Sequence, residues 1–124
     1  MKRTTKASRR GGRALAGAAA VGLALLATAC SGNGAAALGH SSCLDVARAL
    51  NLYREAQRSA DPAVQRRDET ASLVDLREAL RPAALAAGED TDWQALEATL
   101  SETSRVPEAD LIEALQSQCA ATLS

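Results

Sequence analysis

From residue 43 to the C-terminus the apolar positions recur at spacings of three and four, and no stretch alternates with period two. Cys43, Val46, Ala47, Leu50, Tyr53 and Ala56 share one face and predict a first helix over 43–60. Asp61-Pro62 closes it and opens the next, because Asp is a good N-cap and Pro suits the first helical position. The second helix starts with a wholly polar run, Gln65 to Thr70, and becomes clearly amphipathic at Leu73, Val74, Leu76 and Leu80. Pro82 is expected to end or kink it, with at most one further turn before Gly88. Thr91 and Gln94 have capping-box spacing for a third helix carrying Trp93, Leu96 and Leu100. A fourth helix begins near Pro107, with Glu108 and Asp110 in the first turn, where the helix dipole favours acids. Leu111, Ile112, Leu115, Cys119 and Leu123 form its apolar stripe.

These four elements predict an all-α fold, a small antiparallel four-helix bundle over residues 43–124. The chain has no Phe, and only Tyr53 and Trp93 are aromatic, so the core must be built from Leu, Val and Ala. Such a core is thin, and a covalent staple would help it.

Residues 1–29 have a different character. Lys2, Arg3, Lys6, Arg9, Arg10 and Arg13 come first without an acid, and Ala14 to Ala29 then carry no charge at all. A basic stretch, a short apolar stretch and small residues at its end describe a secretory signal peptide. The apolar stretch falls short of the roughly 20 residues a membrane span requires. It ends in Leu26-Ala27-Thr28-Ala29-Cys30. This ending resembles the lipobox of bacterial lipoprotein precursors, with Ala29 and Thr28 at the small positions before the cysteine. The resemblance implies cleavage before Cys30 and a diacylglycerol anchor on its thiol, with a further acyl chain such as palmitate. It also implies a place on the extracytoplasmic face of the cell membrane. Residues 31–42, SGNGAAALGHSS, lack charge and periodicity and are expected to be a flexible tether. The expected organisation is therefore signal peptide 1–29, lipidated cysteine and tether 30–42, and helical domain 43–124.

Removing the leader changes the charge. The whole chain is nearly neutral, at −1, but the leader holds six of its 14 basic residues and none of its 15 acids. Residues 30–124 have eight Arg, no Lys and 15 acids, a net charge of −7. That balance opposes binding nucleic acid or anionic lipid by charge. Heavy use of Ala and Arg resembles the composition of proteins from high-GC Gram-positive bacteria.

Export also bears on the two remaining cysteines. Cys43 opens the first expected helix and Cys119 lies near the end of the fourth. Exported proteins oxidise such pairs, and in an up-and-down bundle these two ends meet only if the helix count is even. A Cys43–Cys119 disulfide and four helices therefore support each other.

Candidates for chemistry are few. His40, the only histidine, falls in the expected tether, so neither a zinc ligand set nor a Ser/His/Asp site can be assembled around it. Glu89, Asp90 and Asp92 lack the Gly and Glu that a calcium loop starting at Asp90 would need, since Ala95 and Ser101 stand there. Arg66-Arg67 adjoins Asp68-Glu69 and reads as a solvated face. Tyr53 and Trp93 either fill the core or line an apolar cleft between helices. A short exported helical domain with a cysteine near each end is similar in layout to the small mycobacterial haem-binding proteins. That likeness would make Tyr53 the iron ligand. No catalytic residue, metal site or cofactor is expected. The sequence points to a lipid-anchored binding or interaction module with an unknown envelope partner, or to a carrier of an apolar ligand such as lipid or haem.

Overall fold

A computed structural model describes residues 34–124, and they form four α-helices without a strand. The first, α1, occupies residues 34–58. It is followed by α2 (Pro62–Glu89), α3 (Gln94–Ser101) and α4 (Glu108–Leu123). Single turns of 3-10 helix, Thr91–Trp93 and Glu102–Ser104, flank α3. The segment expected to be a signal peptide, and Cys30, lie outside the described residues. None of the described helices is long and apolar enough to cross a membrane.

Two expectations are corrected together. Residues 34–42 are not tether but the first turns of α1, and Pro82 does not end α2, which runs unbroken to Glu89. Each extension supports the other. The Ser42 hydroxyl donates to the Ala79 carbonyl at 2.8 Å, and the Ser72 hydroxyl donates to the Ala49 carbonyl at 2.8 Å. Gly34 lies beside the Glu89 carboxylate. As the number rises along α1 it falls along α2, so the two helices run in opposite directions. In this register the residues after Pro82 face residues 34–39, the part of α1 whose composition resembles a tether.

The seam between them consists of small side chains at every seventh position. Ala35, Ser42, Ala49 and Ala56 recur on α1, and Ser72, Ala79 and Ala86 on α2, all of them buried. A seven-residue period keeps one stripe of a helix against its partner. Small residues on both sides let the backbones approach until a serine hydroxyl reaches the opposite carbonyl directly. A proline inside a helix costs about 3 kcal/mol in isolation. Here Ala79, Ala83 and Ala86 are fully buried on either side of Pro82, and their packing holds the helix through it.

Helix ends follow local chemistry. The Asp61 side chain accepts from the Ala63 amide at 2.9 Å, with Pro62 in the first turn, as the sequence predicts. The cap before α3 is Asp90 rather than Thr91: its carboxylate accepts from the Asp92 amide at 3.0 Å and opens the 3-10 turn. Helix α4 starts after Pro107 with Glu108 and Asp110 in its first turn, also as predicted.

The core lies where all four helices converge. Val46 and Leu50 from α1, Leu76 from α2, Leu96 and Leu100 from α3, and Leu111 and Leu115 from α4 form one cluster with the Cys43–Cys119 disulfide. That bond was expected, but Cys43 lies nine residues inside the described part of α1 rather than at its start. Between α3 and α4, the Gln118 side-chain amide donates to the Thr99 hydroxyl, which donates to the Ala95 carbonyl.

Trp93 is half-buried and packs against this cluster. Its indole lies on Gly39 of α1, where a β-carbon would overlap ring atoms Cε2, Cζ2 and Cη2. The glycine is thus a socket for the only tryptophan.

Two stability measurements test this packing. Gly39→Ala should gain about 1 kcal/mol of helix propensity yet destabilise the fold by a net of about 1–3 kcal/mol through overpacking. Thermal melting with Trp93 emission should show a lower midpoint and a red-shifted spectrum. Opening the disulfide frees a loop spanning a sequence separation of 76 residues. Reduction, or Cys43→Ala with Cys119→Ala, should therefore cost about 4 kcal/mol in denaturant titrations against the oxidised protein.

Candidate functional site

Three helices meet at Ser72, and a proton count governs what they do there. Ser72 is fully buried on α2 and its hydroxyl reaches both the Ala49 carbonyl of α1 and the Oε1 of Glu108 on α4. A hydroxyl has one proton to give. If the Glu108 carboxyl is neutral, it donates to Ser72 and Ser72 donates to Ala49, and all three groups are satisfied. If it is ionised, the serine proton must serve one acceptor at the expense of the other.

The surroundings favour the neutral form. Glu108 is only 9 % exposed. Burial pushes its carboxyl above the ordinary carboxylate range, the Ser72 contact pulls it back, and the charge of Glu69 pushes it up again. The pocket beside it is lined by Tyr53 and Gln57 of α1, Glu69 and Leu73 of α2, Thr103, and residues 106–109 leading into α4, with no basic side chain among them. The helix N-terminus favours a negative charge at this position, but no cation in the lining completes the compensation. This pocket has a volume of about 330 Å³.

A second concavity lies on the seam between α1 and α4. It is a groove of about 180 Å³. Val46, Leu50 and Arg54 line it from α1, four residues apart, and Leu115, Cys119 and Leu123 do so from α4 at the same spacing. The disulfide lies at its wall. Residues 43 and 119 are joined, while Tyr53 and Gln57 meet Pro107 and Glu108 in the neighbouring pocket. Arg54 therefore sits at the end of the groove nearest the start of α4, and Leu123 at the opposite end. Arg54 supplies the only charge in the lining.

The residues singled out from sequence fall in different places. Tyr53 is half-buried in the acidic pocket, whereas Trp93 lines neither concavity and instead fills the socket at Gly39. The two aromatics do not share a cleft. Cys43 and Cys119 are brought together and close the fold, and Cys119 also lines the α1–α4 groove. His40 is exposed on α1 rather than in a tether. Asp90 caps the turn that follows it. Among the described residues no cluster of three or more His, Cys, Asp or Glu is placed to hold a metal ion. Arg67 pairs with Asp68 at 2.9 Å, and that hydrogen bond and charge raise its pKa further.

Sequence reasoning passed over Ser72, Glu108 and Arg54 as elements of a site. Ser72 carries a signal, because it stands seven residues before Ala79 and fourteen before Ala86. Glu108 looks like any acid in a first helical turn until the packing that buries it is known.

No protein family, curated protein or solved structure matches the chain.

The Glu108 arrangement sets the sign of a pH effect. A carboxyl whose folded pKa is raised contributes stability that is fully present below its unfolded value, about 4.3. That contribution is lost as pH rises through the folded value. Thermal midpoints compared between wild type and Glu108→Gln from pH 4 to 8 should therefore show wild type losing ground to the variant as pH increases. The amide keeps a donor toward Ser72 at every pH. A difference that is constant across the series would mean that Glu108 titrates as it does in the unfolded chain.

Proposed function

We propose that the protein is a lipid-anchored, extracytoplasmic helical module of the bacterial cell envelope, acting by binding rather than by catalysis. The observation that carries this reading is the ending Leu26-Ala27-Thr28-Ala29-Cys30, placed after a basic and then apolar leader. The Cys43–Cys119 disulfide supports it from the other side, since structural disulfides persist in oxidising compartments outside the cytosol. In this reading Cys30 carries diacylglycerol and an acyl chain such as palmitate, and the membrane is met through that lipid. In the same reading the four helices are arranged as an antiparallel bundle. With helix beginning by residue 34, only about three residues separate the lipidated cysteine from the folded domain. A protein of the envelope is the partner this reading expects. The module's net charge of −7 keeps it off anionic headgroups.

A second reading is favoured by the groove between α1 and α4: the module carries an apolar ligand between its helices. The cleft for such a ligand is this groove, not a site shared by Tyr53 and Trp93.

Intact mass measured on a membrane fraction, with thiol labelling before and after reduction, tests the anchor. The expected species begins at Cys30, bears diacylglycerol, and exposes Cys43 and Cys119 to label only after reduction. A soluble product without lipid would sink the anchored reading. Cross-linking in intact cells should then trap the wild-type bundle with an envelope protein. Full recovery as an uncross-linked monomer would argue against a protein partner.

A further inference from the structure

The α1–α4 groove joins two features that suit an amphiphile. Its floor is apolar, built by Val46, Leu50, Leu115 and Cys119, and Leu123 at its far end is 40 % exposed. Its near end holds one cation, Arg54. That guanidinium has no ion pair among the described residues, and its contact is with the neutral Asn51 Oδ1 at 3.2 Å. The setting makes this unusual: residues 34–124 carry 15 acids against eight Arg, yet no acid lines this groove. A lone positive charge at the end of an apolar trough is complementary to a ligand with one negative head and one apolar tail.

We propose that the groove binds a single-chain fatty carboxylate, with its head on Arg54 and its tail running past Leu50 and Leu115 toward Leu123. Guanidinium and carboxylate match as a two-pronged hydrogen-bonded pair, which selects a carboxylate over an alcohol or an amine. Val46 to Arg54 spans about 12 Å at 1.5 Å per residue, so the trough is long and narrow. Its volume of about 180 Å³ is below the roughly 300–1,000 Å³ of pockets that enclose drug-sized ligands. This space suits one alkyl chain. The inference rests on the carrier reading above and makes it specific, replacing lipid or haem in general with one class of ligand and one contact for its head.

The test uses the full chain with its disulfide intact and decanoate below its micelle concentration, followed by calorimetry. Wild type should bind decanoate saturably at one site. Arg54→Gln, a change at an exposed residue that leaves the core untouched, should weaken binding about tenfold or more. Ala120→Trp, at another exposed lining position, should fill the trough and abolish binding. Decyltrimethylammonium, with the same tail and the opposite charge, should not bind. Decanoate binding that is equal in wild type and Arg54→Gln overturns the proposal. So does equal binding of decanol, but that outcome leaves an apolar-ligand carrier standing. If no ten-carbon tail binds at all, both the proposal and the carrier reading fall, while the lipid anchor on Cys30 is judged separately by mass.

Discussion

The close approach of α1 and α2 is the constraint on which the other features depend. Alanine and serine at every seventh position remove the bulk that would hold the helices apart, and Ser42 and Ser72 then donate to the partner's backbone carbonyls. A hydroxyl buried at a helix interface needs a partner, because leaving it unmade costs about 1–3 kcal/mol. These two bonds therefore pin the register as firmly as they stabilise it. A shift of one helix by a turn would strand both serines and drive larger side chains into the seam.

Much of the remaining structure is arranged against this pair. Helices α3 and α4 complete the leucine cluster around Leu76, and the disulfide ties α4 back to α1. The long α1 makes a surface for Trp93, which needs the missing β-carbon at Gly39. The long α2 places Ser72 where it meets α4 through Glu108. One small side chain thus links three helices. Burial and the charge of Glu69 raise the pKa of the carboxyl it contacts, and no cation lines the pocket beside that carboxyl.

The two concavities differ in character for the same reason. Where α1 and α2 meet the start of α4, two carboxylates and a phenol face each other. Where α1 meets the rest of α4, the walls are aliphatic and the single charge is positive. The second concavity lies between the two helices that the disulfide joins.

The all-helical class, the Asp61-Pro62 junction, the start of α4 and the Cys43–Cys119 pair were legible in the sequence, because each rests on local chemistry or on periodicity of large apolar residues. The lipobox-like ending at Cys30 is a property of the sequence alone. What the sequence did not disclose is the seam. Its residues are Ala, Gly and Ser, which carry little hydrophobic signal and in residues 31–42 resemble a linker. Their repeat of seven is visible once sought, but its meaning depends on a partner helix with the same repeat. Only tertiary structure decided that residues 34–42 are helix, that α2 continues through Pro82, and that Trp93 lies on Gly39 away from Tyr53. The physical reason is shared: neither extension buries enough large apolar surface to declare itself, and each becomes stable by packing against the other.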